Sequence, residues 1–275
     1  MPMKSDIAKR IVVIILGVPG IILLLWKGGI WFAALITLAM LLALREFYLI
    51  SAKKGASPLL WVGWVVTLLV AWMYYGGVPS GNSLIFYNIF IVGFILTIEL
   101  FRNKPNPTRN ISITIFGIVY ISLFLGSLIA LRNWDDMTGF HLTWGVFISV
   151  WICDTTAYLA GKKWGKKKMM ERVSPNKTVV GCVAGMFGAA ITYVIMYTSG
   201  FLGNLFDWGD IIVFAVISGI FGQMGDFVQS LIKRDMEVKD SGKFLLGHGG
   251  VFDRFDSLFF AAPLTYIYLQ LFVPY

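Results

Sequence analysis

The chain has 275 residues, 57% of them hydrophobic and 14% charged, with 22 Phe, 11 Tyr and 10 Trp. A water-soluble domain of this length needs more charge to cover its surface, so a soluble globular protein is excluded and most of the chain is expected in a bilayer. The net charge of +8 raises nucleic acid as a partner, but its distribution gives a plainer account.

Nine apolar runs follow in chain order: 11–26, 30–48, 58–76, 83–101, 111–131, 139–160, 178–199, 211–232 and 257–274. They predict an all-α polytopic membrane protein, a bundle of about nine transmembrane helices. The first run follows Lys4, Lys9 and Arg10 as a signal peptide would, but its exit "LLLWKGG" is bulky where a cleavage site is small, so an uncleaved helix is favoured. With the N-terminus cytoplasmic, only Lys27 and Arg132 of the 23 basic residues fall on the outer side. That is the positive-inside bias, which orients the chain with no call for nucleic acid; the expected location is the cytoplasmic (inner) membrane.

The first four runs carry few ionisable groups. Glu46 and Glu99 stand near the ends of their helices, where each is expected to reach the interface or pair with a basic neighbour. The chain is therefore divided into accessory helices over 1–110 and a catalytic region over 111–275. Cys153 and Cys182 fall inside spans and are read as small hydrophobes. The sequons at Asn110 and Asn176 are read as accidental.

In the sixth run Asp154 shares a helical face with Thr155 and Tyr158, and it is expected to face the same cavity as Asp226. The next connection, "GKKWGKKKMMERVSPNKT", lacks the Gly-Lys-Ser/Thr of a P-loop. Its end is read as a phosphate site made by Ser174, Lys177 and Thr178 at a helix N-terminus, with Ser174 or Asn176 capping the helix. Gly181, Gly185 and Gly188 give the seventh run one nearly bare face, read as close helix packing.

The eighth run carries a polar stripe of Gly222, Asp226, Gln229, Ser230 and Lys233, spaced by threes and fours. A carboxylate there costs roughly 2.5 kcal/mol or more against lipid, so the stripe faces the bundle interior, where Asp226 pairs with Lys233 or serves a metal. It runs into "KDSGKFLLGHGGVFDRFDS", residues 239–257. Asp253 and Asp256 stand three apart before the last run, with Asp240 near. Hard oxygen ligands from separate segments are what Mg²⁺ requires, and Asp226, Asp253 and Asp256 are the candidate ligands. Gly247, Gly249 and Gly250 flank His248 and let backbone N–H groups approach an anion, while Lys233, Arg234, Lys239, Lys243 and Arg254 add positive charge.

The stretch "SLIKRDMEVKDSGKFLLGHGGVFDRFD", residues 230–256, resembles the signature of the phosphatidate cytidylyltransferases (CDP-diacylglycerol synthases). The matching positions are Ser230, Lys233, Arg234, Lys239, Asp240, Gly242, His248, Gly249, Gly250, Asp253, Arg254 and Asp256. Weaker similarity takes in "CDTTAYLAG", "SPNKT" and Gly225–Asp226. Leu246 departs from the usual proline, and Gln229 and Val180 stand where acids are common. The resemblance implies that CTP and phosphatidic acid give CDP-diacylglycerol and pyrophosphate. It implies one or two Mg²⁺ ions, with room left for an additional monovalent ion, and homodimerisation is left open. The implied catalytic set is Asp226, Lys239, Asp240, His248, Asp253, Arg254 and Asp256, with His248 either acting on a phosphate or fixing the loop. The alternatives are a CTP-dependent polyprenol or phytol kinase, and, from another class, an ion or proton transporter using Asp154 and Asp226.

Overall fold

A computed structural model describes residues 17–77, 82–242 and 249–273 of the chain. Its helices, in order, are α1 (Gly17–Lys27), α2 (Gly29–Ala52), α3 (Leu60–Gly76), α4 (Asn82–Arg102), α5 (Pro107–Arg132), α6 (Thr138–Trp164), α7 (Val179–Thr198), α8 (Trp208–Asp235) and α9 (Leu258–Phe272). Within the described residues, each apolar run of the sequence thus becomes a helix. Six segments are long and apolar enough to cross a membrane, namely α2, α5 to α8 and residues Ile85–Arg102 of α4. The helices α1, α3 and α9 have 10–17 residues, and about 20 are needed for an upright crossing.

Contacts divide the chain into two compact units, one of residues up to Ala130 with Met236–Arg254, the other of Leu131–Asp235 with Phe255–Tyr275. These boundaries differ from a division at 110. Helix α5 continues past that point because it packs within the first unit: Gly117 lies so close to Leu44 and Tyr48 of α2 that a Cβ would clash. The Tyr48 hydroxyl donates to the Thr114 carbonyl at 2.7 Å. Thr67 and Ser122 join α3 to α5 through their hydroxyls at 2.7 Å. Around them Leu59, Val62, Val66, Val70, Ile95 and Ile118 form a buried cluster. Glu99 does pair locally, accepting from Arg102 at 2.8 Å and from Asn110 at 2.6 Å. Asn110 is wholly buried in that network, in keeping with an accidental sequon.

In the second unit, α6 and α7 pack through the bare face of α7. A Cβ on Gly181 would lie 2.7 Å from the Ala157 carbonyl and one on Gly185 would lie 3.0 Å from that of Cys153, so only glycine permits this approach. The chain is helical as expected, but the connection between these two helices is not plain loop. Lys168–Met170 (β1) and Ser174–Thr178 (β2) pair antiparallel, Lys168 opposite Thr178 and Met170 opposite Ser174. Among the described residues these are the only strands. The cap of α7 is also not the expected one. Thr178, not Ser174 or Asn176, accepts the Gly181 N–H at 3.2 Å, because Thr178 is the last residue of β2 and directly precedes the helix, whereas Ser174 and Asn176 stand further back along the strand.

Candidate active site

Two polar assemblies stand out, one in each unit. In the second unit, a cavity of about 660 Å³ is lined by Asp154, Lys162, Lys168, Asn176, Lys177 and Asp226, among others. That is within the range of small-molecule sites, ~300–1,000 Å³. Helices α6, α7 and α8 and both strands of the hairpin line it. Helix α6 brings Asp154, so Asp154 and Asp226 do line the same cavity. The end of β2 brings Lys177, immediately before the capped N-terminus of α7. Helix α8 brings Asp226.

Asp226 is not paired with Lys233. Its Oδ2 forms an ion pair with Lys177 Nζ, and Ser230 Oγ donates to its Oδ1 at 3.3 Å. Lys177 also lies over the Phe227 ring, 4.3 Å from its centroid. Both partners are half-buried, so a compact ion pair sits beside the N-terminus of α7, where the helix dipole favours negative charge.

Asp256 joins this group through backbone packing. Gly225 lies so close to the turn before α9 that a Cβ there would stand 2.6 Å from the Asp256 carbonyl oxygen. Asp256 Oδ1 accepts the Ser257 N–H at 2.8 Å. Withdrawal from solvent, then the nearby charges of Asp226 and Asp154, push the Asp256 carboxyl above the ordinary carboxylate range. Three acids with one lysine are thus assembled, of which the sequence had joined Asp226 and Asp256 on other grounds.

The first unit holds the second assembly, with Asp253 in it. Asp253 Oδ2 accepts from the Ser241 amide (2.9 Å), the Ser241 hydroxyl (3.0 Å) and the Gly250 amide (3.0 Å). Glu46 of α2 accepts from Val251 N–H at 3.1 Å, Phe252 N–H at 2.9 Å and Ser241 Oγ at 3.0 Å. Glu46 is thus buried against the returning segment, with Ser241, Val251 and Phe252 as its partners rather than Arg45. The amide of Gly250, read from sequence as a phosphate donor, is spent on Asp253.

The other expected residues are placed as follows. Lys239, Asp240 and Arg254 are exposed in the first unit. Gly249 adopts φ 84°, a conformation that favours glycine. Arg234 donates through Nε to the Val173 carbonyl at 3.3 Å, tying α8 to the hairpin. Lys233 is half-buried in the last turn of α8. Lys243, Gly247 and His248 lie outside the described residues. Cys153 and Cys182 are both free thiols. Among the described residues no three His, Cys, Asp or Glu side chains stand close enough together to form a ready metal cage.

The model of the cytidylyltransferase family matches residues 8–272 of this sequence. The chain is 31% identical over 275 residues to a phosphatidate cytidylyltransferase of Bacillus subtilis (strain 168), across 97% of this chain and 99% of that protein. It is 31% identical over 269 residues to one of Staphylococcus aureus (strain COL), with the same coverages of 97% and 99%. A phosphatidate cytidylyltransferase of Staphylococcus haemolyticus (strain JCSC1435) is 39% identical over 156 residues, 56% of this chain and 57% of that protein.

Proposed function

This chain belongs to the cytidylyltransferase family and is a nucleotidyltransferase, and from that premise we propose that it joins CTP to phosphatidic acid, making CDP-diacylglycerol and pyrophosphate. The observation that carries this reading is the Lys177–Asp226 pair in a polar cavity at the head of α7, with Asp154 and Asp256 nearby.

The lipid phosphomonoester is already anionic near neutral pH. Its oxygen attacks the α-phosphorus of CTP, the bond from that phosphorus to the bridging oxygen breaks, and pyrophosphate leaves. The obstacle is the approach of two polyanions, so the protein acts by positioning and by neutralising charge. Lys177 leaves Asp226 for a phosphate oxygen, and the N–H groups at the start of α7 favour the same anion. Lys162 and Lys168 add positive charge to the cavity wall. Lys233 and Arg234, in the same unit, are further proposed phosphate ligands, and Lys239 and Arg254 keep that proposed role from the sequence alone.

The donor chemistry fits Mg²⁺. Carboxylate oxygens are hard ligands, and Mg²⁺ takes one or two of them and completes its shell with water and substrate phosphates, so a ready three-residue cage is not needed. Asp226 and Asp256 are the ligands in this reading, with Asp226 available once Lys177 has turned to substrate. One or two ions so held supply charge neutralisation on the phosphates and on departing pyrophosphate. Asp253 is committed to the Glu46 segment and acts there. The cytoplasmic leaflet of the inner membrane is the setting, supported by the inward bias of every basic residue but Lys27 and Arg132.

Purified protein incubated with CTP, Mg²⁺ and phosphatidic acid is expected to release pyrophosphate and a CDP-lipid. Asp253→Asn is expected to lose about 100-fold, the scale of a misplaced catalytic segment. Release of CDP with a phosphorylated lipid would instead make the protein a lipid kinase. Absence of any nucleotide product, with ion uptake into vesicles, would overturn the enzyme reading.

A further inference from the structure

We infer that Glu46, a residue of the N-terminal helix α2, is a positioning residue for the reaction, holding the backbone of Gly250–Asp253 in its working conformation. The inference rests on the function proposed above, which assigns the 239–256 segment to the reaction.

The described residues 236–242 and 249–254 belong to the first unit, and the one regular element among them is the short turn Phe252–Arg254. Backbone N–H groups in such a stretch need acceptors when buried. Two of them, on Val251 and Phe252, donate to the two oxygens of Glu46. The same carboxylate receives the Ser241 hydroxyl. That hydroxyl also lies 3.0 Å from Asp253 Oδ2, and with one hydrogen it serves one carboxylate at a time. Glu46 and Asp253 therefore grip one segment from two sides, both of them buried with Ser241.

Three further observations point the same way. The glycines of the segment are small where Glu46 needs room: a Cβ on Gly242 would lie 2.5 Å from Glu46 Oε1, and one on Gly250 would overlap Glu46 Oε2 and Ser241 Oγ. Phe252 is fully buried between Phe47 and Tyr120, at ring-centroid distances of 6.0 and 6.2 Å. An ion pair from Lys54 of the turn after α2 to Glu237 secures the start of the same returning stretch. The glycines read from sequence as a cradle for substrate phosphate thus make space for a protein carboxylate. Charge-assisted bonds of this kind are about twice as strong as neutral ones, which suits a group that must fix a loop.

The test compares Glu46→Gln and Glu46→Asp with Glu99→Gln, a buried carboxylate of the same unit that bonds Arg102 and Asn110 instead. Gln keeps the shape of Glu but turns an NH₂ group toward one of the two amides, leaving a buried donor without an acceptor. Full-length protein in lipid nanodiscs is assayed for kcat, for the KM of CTP and for amide hydrogen exchange by mass spectrometry. Glu46→Gln is expected to lower kcat at least about 10-fold, on the way to the ~100-fold cost of misplacement, with less than about a threefold change in KM. Exchange at 249–254 is expected to quicken while α3 and α5 keep their protection, and Glu46→Asp is expected to restore part of both. Glu99→Gln is expected to leave exchange at 249–254 at the parent rate. Parent kcat and parent exchange in Glu46→Gln would overturn the inference, as would a loss of protection spread evenly over the whole unit. The exchange arm needs no turnover, so a parent protein that makes no CDP-lipid would sink the proposed reaction while the grip of Glu46 is still read directly.

Discussion

Lys177 and Asp226, 49 residues apart in the chain, form an ion pair on the wall of the polar cavity, with the lysine also resting on the face of Phe227. The pair joins the end of β2 to the middle of α8 and brings a lysine beside α7's N-terminus into contact with a carboxylate. In a half-buried setting each partner answers for the charge of the other, so removing one leaves a stranded charge.

Lys177→Met is therefore expected to cut kcat/KM at least about 100-fold, since it removes a phosphate contact and frees Asp226 to repel substrate. Asp226→Asn is expected to lose a similar factor. The two act as a unit, so the double variant should be little worse than the poorer single variant. CDP-lipid formation by all three proteins tests this, and fully multiplicative losses would show that the two residues work separately.

Gly225→Ala probes the packing that brings Asp256 beside Asp226. A Cβ would stand 2.6 Å from the Asp256 carbonyl oxygen and 3.2 Å from Phe260 Cδ2, and backbone cannot swing aside as a long side chain can. The overlap is expected to destabilise the protein by about 1–3 kcal/mol and to lower activity by more than Gly222→Ala does. At Gly222 the nearest atoms are 3.8 Å away, an ordinary contact. Thermal melting and turnover of the two variants side by side provide the measure.

How far these relationships were legible depends on their range in sequence. The apolar runs gave every helix, because hydrophobic length is a local signal. The bare face Gly181, Gly185 and Gly188 was read correctly for the same reason. The hairpin at 168–178 was hidden by its lysines, which look like topology signals and mask the short pairing of Lys168 with Thr178. Glu46 was misread because helix spacing rules see only neighbours three or four residues away, and its partner Ser241 is 195 residues distant. Its one visible clue was a carboxylate near the end of an apolar helix with no basic residue at those spacings. Lys177 was noticed as an anion binder, but nothing local ties it to Asp226.

Outside the apolar helices, Asp135 accepts from the Met137 and Thr138 amides, at 2.9 and 2.5 Å, at the entry to α6. Partial burial works to raise its pKa, but bonds from the Thr138 hydroxyl and from the amides of Thr138, Met137 and Gly139 outweigh it and hold the carboxyl low. A carboxyl held lower in the folded state adds stability above its unfolded pKa of ~3.9, and that stability is lost as pH falls through the folded value. Asp135→Ala is expected to cost about 1 kcal/mol at pH 7, the usual worth of a helix cap, and to cost less as acid protonates the parent. Melting temperatures of both proteins from pH 7 to pH 3 are expected to converge, and a constant gap would mean that the charge plays no part.

Asp256 separates stability from metal use. Its carboxyl is held above the ordinary range by burial and by the neighbouring acids. The folded protein thus binds that proton more tightly than the unfolded chain does, and stability falls as pH rises past ~3.9 toward the raised value. At neutral pH without a cation the folded protein must hold that proton while the unfolded chain releases it, which is a cost, and Asp256→Asn removes it. The variant is expected to melt no lower than the parent in Mg²⁺-free buffer. If Asp256 is a ligand, the same change raises the Mg²⁺ concentration for half-maximal activity by about 10–100-fold, the range found when the support of a metal site is disturbed. Mg²⁺ should also raise the melting temperature of the parent more than that of the variant, since a ligand that binds only the folded form stabilises it. An unchanged Mg²⁺ requirement together with a lower melting temperature would make Asp256 a structural acid and leave Asp226 without its partner ligand.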